Sequence, residues 1–346
     1  MIRYGKSSGA LLAHKKGFFA ENDGLLNEGR RIGAVYTQQP RRTACKCCDA
    51  PLEGPRFTKQ DIEYVLCGRC GHLNGAHEDT DAFCQAMYVQ DGGASYAKTY
   101  SSADKDAYRA RVRDIYVPKA EFLRDALSEA GETPETLRFA DLGAGSGYFV
   151  AAMRDIGWPH SHGYEVSDVQ VALAQAMIAE DAVKAHALDA AAEIAGTVEA
   201  DVVSMIGVLE HVQNPREIVA ALRSNPNVRY FYISVPLFSP STMIECAFPE
   251  VFQRQLSAGH THLYTEGSID WMCREFGLNR LSEWWFGTDM VDFYRSVAVE
   301  LERNPETAAL AGYWREMIVP ALDEAQLALD TRKTASEVHL LMRFAD

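Results

Sequence analysis

An α/β fold built on a parallel, doubly wound sheet is what the sequence predicts, and three observations carry that expectation. First, residues 138–149 read as a buried strand that breaks at Asp141-Leu142-Gly143-Ala144-Gly145-Ser146-Gly147 and then opens a helix through Val150, Met153 and Ile156. Second, strand-like runs recur at 161–167, before Asp189, at 200–206 and at 229–236, with helical stretches between them. Strands alternating with helices at this pace need crossover connections, which make the strands parallel and leave ligands beyond their carboxyl ends. Third, five of the 8 cysteines crowd into residues 45–70, so a small module precedes the sheet.

The glycine turn points to a nucleotide-like ligand. Glycines at alternate positions keep Cβ atoms out of the way of a close approach, and the following helix aims its N-terminal amides at the same place. A dinucleotide fingerprint, G-x-G-x-x-G, would need its third glycine where Tyr148 stands. Glu165 ends the next strand, where a carboxylate accepts hydrogen bonds from two vicinal ribose hydroxyls. Its other reading is a surface residue ahead of a helix capped by Ser167 or Asp168. Asp189, at the end of the third strand, either meets an adenine amino group or sits in a solvated turn.

The D-x-G-x-G-x-G run resembles motif I of class I S-adenosylmethionine-dependent methyltransferases. Leu209-Glu210-His211-Val212 with the following Asn214-Pro215 is similar to their fourth-strand segment. The resemblance covers roughly 120–346. It implies a Rossmann-like, seven-stranded, mostly parallel sheet whose antiparallel last strand is 336–344 and whose neighbour is 278–286. It also implies S-adenosylmethionine as cofactor, held by Asp141, Gly143, Gly145, Gly147, Glu165 and Asp189. The family joins its last two strands by a short turn. Here roughly fifty residues intervene, a helical insertion at about 288–335 that could be a lid, part of an acceptor pocket or a dimer surface.

The cysteines form two pairs, Cys45-x2-Cys48 and Cys67-x2-Cys70, with 18 residues between them. That spacing matches the two knuckles of a zinc ribbon, expected over 41–80, in which four thiolates hold a structural ion. Disulfides are the competing reading, disfavoured in a reducing compartment. Cys47 could replace a neighbouring ligand, and His72 and His77 are weaker substitutes. Residues 1–40 form an N-terminal extension without recognisable chemistry. Residues 81–118 read as a linker and cover helix, and 119–346 as the methyltransferase domain. Tyr96 and Tyr100 resemble the family's cover over the cofactor, or else are core aromatics.

Net charge is −14, which argues against a nucleic-acid partner. No apolar run reaches membrane-spanning length and no secretion signal opens the chain, so a cytoplasmic protein is expected. Methyl transfer to a hydroxyl or acidic carbon also needs a base. The segment His260-Thr261-His262-Leu263-Tyr264-Thr265 resembles an active-site stretch of small-molecule and sugar methyltransferases. The resemblance makes His260 the proton acceptor, with His262 and Tyr264 lining its pocket as further catalytic candidates. In the competing reading Thr265 merely caps the helix at Glu266. His211 is a further pocket candidate. The implied acceptor is a small polar molecule, a sugar or nucleotide-linked sugar, with oxygen, carbon and nitrogen all open; oligomers are possible. Two alternatives stand beside this: an RNA-base methyltransferase, although Ile206-Gly207-Val208-Leu209 lacks the Asn/Asp-Pro-Pro-Tyr/Phe motif, and a non-catalytic adenosyl-binding or zinc-mediated interaction protein.

Overall fold

The computed structural model describes residues 1–14, 21–89, 104–252, 254–256 and 259–345. Twelve strands are found among them. They are β1 (Ile2–Tyr4), β2 (Arg56–Lys59), β3 (Ile62–Leu66), β4 (Leu73–Gly75), β5 (Phe139–Leu142) and β6 (His162–Glu165), then β7 (Val183–Ala185), β8 (Val202–Ile206), β9 (Tyr230–Pro236), β10 (His262–Leu263), β11 (Leu278–Phe286) and β12 (Glu337–Phe344).

The main sheet runs β1-β11-β12-β9-β8-β5-β6-β7. Pairing is parallel from β7 through β9, and β12 runs antiparallel to both β9 and β11. The sheet therefore has eight strands where seven are expected. The eighth, β1, pairs parallel to β11. An edge strand leaves backbone groups unpaired, and here the N-terminus supplies partners. The amide of Gly5 donates to Trp285 O at 3.0 Å and the Trp284 indole donates to Gly5 O at 2.8 Å, while the Arg3 guanidinium lies 4.1 Å from the Trp284 ring centroid.

Both faces of the sheet are covered, as crossover helices require. Along β12, Val338, Leu340 and Met342 pack into one core cluster and Leu341 into the other, the alternation of a strand buried on both sides. Helices Val117–Glu129 and Tyr148–Asp155 contribute to the Leu341 side, Pro215–Ser224 and Glu266–Phe276 to the other. Asn214 occupies the N-cap position of Pro215–Ser224 without a side-chain cap bond. Thr265 and Ser268 form a full capping box on Glu266–Phe276. Between β11 and β12 stand the helices Asp289–Arg303, Leu310–Ile318 and Leu322–Asp330.

A second sheet, β10-β4-β3-β2, is antiparallel. Its first three strands come from the cysteine-rich region, but β10 comes from nearly two hundred residues later, with His262 opposite Asn74 and Leu263 opposite Leu73. The amide of Gly75 donates to Thr261 O at 2.7 Å. A Cβ on Gly75 would lie 2.3 Å from Tyr36 Oη and 2.9 Å from Thr261 O, so only glycine permits this approach. Tyr264 meanwhile bridges to Leu237, just past β9. Residues 261–264 thus stitch the two sheets together.

Candidate functional site

A cavity of about 1090 Å³ opens beyond the carboxyl ends of β5, β6, β8 and β9. On one side it is lined by Asp141, Gly143, Gly145, Glu165 and Asp189, on another by Glu210, His211 and His260. The facing wall includes Lys6, Leu11, His14 and Ile32, from a region whose sequence showed no chemistry. Its size exceeds that of an ordinary small-ligand pocket and leaves room for a nucleoside-sized cofactor beside an acceptor.

The turn after β5 explains its three glycines. Gly143, Gly145 and Gly147 have φ of +75°, +53° and +74°, left-handed backbone that costs other residues strain. Amides of both Gly143 and Ala144 donate to Tyr164 O at 2.9 Å, which fastens the turn to β6. Glu165 grips it from the side: Oε2 accepts from the Gly145 amide at 2.8 Å, and Oε1 accepts from the Ser167 amide at 2.9 Å. Each carboxylate oxygen retains a second lone pair for a ligand on the cavity side. Ser167 caps the next helix, and Glu165 is buried rather than a surface residue. Asp189 is exposed, in the short turn Leu188–Ala190. Tyr96 and Tyr100 lie outside the described residues.

Asp141 is buried beneath the turn, and its Oδ1 accepts from Ser204 Oγ at 2.5 Å. Burial, with the nearby Glu165 charge, lifts its pKa from 3.8 to about 7. A carboxyl shifted upward stabilises nothing at high pH. Both states are protonated below pH 3.8, and stability is lost as pH rises from there towards 7, because the unfolded chain ionises first. Three pH units correspond to roughly 4 kcal/mol at most. An Asp141→Asn variant keeps an acceptor for Ser204 and escapes this loss. Thermal melts without cofactor should show it ahead of the parent by several degrees at pH 8 and level with it near pH 4.

At the far end of the cavity two histidine rings face each other, His211 and His260, with centroids 4.9 Å apart. Nδ1 of His211 lies 2.9 Å from Gly259 O and 3.0 Å from Tyr88 Oη, and Nδ1 of His260 lies 3.0 Å from Gln255 O. A ring nitrogen against a carbonyl must carry a proton, so when either ring is neutral its lone pair sits on Nε2. Burial lowers the His211 pKa to about 4 and raises that of Glu210 to about 8. His211 therefore stays neutral near pH 7 and is a weak base.

The other two residues expected in this pocket lie elsewhere. His262 and Tyr264 are buried and absent from the cavity lining. His262 Nδ1 is 2.8 Å from His72 Nε2, and Tyr264 stacks edge-on against His72 with centroids 4.7 Å apart. The cause is where the strand begins: β10 pairs with β4 and carries His262 into the small sheet, whereas His260 lies ahead of the strand and lines the cavity.

The four cysteines converge. Sγ atoms of Cys45 and Cys70 are 3.7 Å apart, those of Cys48 and Cys67 3.6 Å, and all four lie within 4.8 Å of one another. Sulfurs about 3.8 Å apart are what a tetrahedron of ~2.3 Å zinc–sulfur bonds requires. None is in a disulfide. Cys47 turns away, its thiol donating to Ser268 O at 3.3 Å. The cluster's module is tied to the histidine end of the cavity: Lys46 Nζ donates to Val212 O at 2.7 Å and pairs with Asp79, whose backbone O accepts from Gln213 Nε2 at 2.7 Å. In the sequence Glu210 stands out only as part of the Leu209–Val212 segment, while Arg254 and the N-terminal wall, which also line the cavity, carry no local signal.

No described helix is long and apolar enough to cross a membrane. No curated protein matches the chain. Among solved structures, the chain is similar to magnesium protoporphyrin IX methyltransferase from Synechocystis PCC 6803 with bound SAH, at 13% identity and a TM-score of 0.48, covering 77% of this chain and 100% of that one. It is also similar to the plantazolicin methyltransferase BpumL in complex with a monoazolic desmethylPZN analog and SAH, at 12% identity and a TM-score of 0.44, covering 77% and 95%. Likeness this distant says nothing about an acceptor. Residues 112–283 match a family model described as a methyltransferase domain, a span that contains the glycine turn, Glu165, His211 and His260. On that match, residues 112–283 of the chain form a methyltransferase domain.

Proposed function

We propose that the protein methylates a small polar acceptor, a sugar or nucleotide-linked sugar, with His260 drawing off the acceptor's proton. The observation that carries this reading is a single cavity with the glycine turn and Glu165 at one end and His260 at the other. S-adenosylmethionine supplies an electrophilic methyl group on sulfonium. The chain's own residues do the rest. Gly143, Gly145 and Gly147 let the backbone approach the cofactor, with Asp141 underpinning their turn. Glu165 accepts from its ribose, and Asp189 stands at its adenine edge. His260 offers the Nε2 lone pair, while His262 and Tyr264 act as positioning residues that fix the segment from which it projects. Placing the two reactants together in one cavity would favour in-line displacement.

The four cysteines Cys45, Cys48, Cys67 and Cys70 suit a structural zinc ion with no open position, and unpaired thiols suit the cytoplasm. The acidic balance disfavours RNA as acceptor.

Two measurements test the reading. Calorimetric titration should give one binding event per chain for S-adenosylmethionine and for S-adenosylhomocysteine, and none would overturn it. A screen of nucleotide sugars for transfer of labelled methyl groups should find the acceptor. With that acceptor, His260→Ala should bind cofactor normally and lose turnover by about 100-fold or more. Full turnover in that variant would remove the base assignment.

A further inference from the structure

We propose that Glu210, His211 and His260 bind one divalent metal ion at the acceptor end of the cavity, separate from the four-cysteine cluster. One ligand atom from each of the three lies within 4.8 Å of the others. The carboxylate supplies the second observation. Glu210 is 3% exposed, and its Oε2 has no hydrogen-bond partner among the described residues. A buried carboxylate oxygen without a donor is costly, and a cation is the ligand that relieves it. The histidines are prepared in the manner of metal ligands. Each fixes Nδ1 against a backbone carbonyl, Gly259 O or Gln255 O, and so presents Nε2 with its lone pair.

The geometry has a sequence origin. β8 ends at Ile206, Gly207 follows with φ +67°, and the His211 amide closes a turn on Val208 O at 2.8 Å. That turn presents Glu210 and His211 side by side at a strand's carboxyl end. His260 arrives from the segment just ahead of β10.

Two imidazoles and a carboxylate suit manganese, ferrous iron, cobalt, nickel or zinc, whereas four thiolates select softer ions. Three protein ligands also leave coordination positions open, which the thiolate cluster does not. The open positions face a cavity, so the favoured acceptor carries two neighbouring oxygens able to chelate, such as a vicinal diol or a hydroxy-carboxylate. This choice of acceptor rests on the methyl-transfer reading; ion binding itself does not. With an ion bound, Glu210, His211 and His260 would hold it and it would supply Lewis acidity to a coordinated hydroxyl, so the base role proposed for His260 belongs to the ion-free protein.

Manganese(II) added to the full-length, zinc-loaded protein and followed by electron paramagnetic resonance tests the site, since this hard ion competes poorly for thiolates. One ion per chain is expected. Glu210→Gln should weaken binding by about 100-fold or more, because even outer-shell changes cost about 10–100-fold. His260→Ala, on a half-buried side chain, provides the same test should the Glu210 variant misfold, and titration with S-adenosylhomocysteine checks the fold of both. No binding by the parent, or equal binding by parent and folded variants, overturns the site. Manganese binding without S-adenosylhomocysteine binding would leave the site standing and sink the methyl-transfer reading. The reverse result would do the opposite.

Discussion

Replacing Cys67 with serine is expected to strip the chain of the proposed zinc ion and to abolish methyl transfer while leaving cofactor affinity within a few-fold of normal. Three steps lead to this result. Residues 41–80 carry three short strands and little apolar surface of their own, so ordering them depends on the ion and on β10. Structural zinc contributes about 10–16 kcal/mol to such modules, comparable to the whole stability of a domain. Losing one thiolate therefore releases the module from its folded form. The damage then travels to the acceptor end by named bonds. Lys46 no longer holds Val212 O, Asp79 no longer holds Gln213, and Gly75 no longer holds Thr261 O. These are the two segments that carry His211 and His260. The glycine turn and Glu165 bond to each other and to Tyr164, with no hydrogen bond to the small sheet among the described residues. Metal analysis should show the loss of about one equivalent, and titration with S-adenosylhomocysteine should show the retained site. A metal-free variant with normal turnover would mean that the cysteine cluster plays no part in holding the acceptor end.

Much of the fold and the cofactor end was legible because it is encoded locally. The glycine spacing, the strand before it and the helix after it lie within a dozen residues, and each glycine's positive φ is a property of that turn alone. The cysteine pairs were legible for the same reason. What stayed hidden depends on pairing across long separations. β1 is three residues long and becomes a strand only because β11 offers it an open edge. β10 is two residues long and lies opposite β4, a match that no periodicity announces. That pairing separates His262 and Tyr264 from His260, although five residues of sequence hold all three. Glu210 shows the converse: its unpartnered oxygen follows from burial by elements scattered along the chain, and burial of a single side chain has no signature in a lone sequence.

Glu165 is the residue whose loss should weaken the cofactor most, and the form of its loss separates two roles. Its oxygens accept from the Gly145 and Ser167 amides, so the carboxylate shapes the turn before any ligand arrives. In the proposed complex the same oxygens also accept from the two ribose hydroxyls. Hydrogen bonds to a charged group contribute roughly 1.5–3 kcal/mol each. Glu165→Ala should therefore lower affinity for S-adenosylhomocysteine by about 100-fold or more, as 1.4 kcal/mol is tenfold. Glu165→Gln is the sharper test. Its amide nitrogen cannot accept, so one end of the side chain must face the Gly145 or Ser167 amide with a donor against a donor. That variant should lose affinity nearly as much as the alanine, and its ligand-free melting temperature should fall too. Asp189→Ala, on an exposed turn, should cost only a few-fold. A glutamine variant that binds as tightly as the parent would show that neither the charge nor the double acceptance at this strand end holds the cofactor.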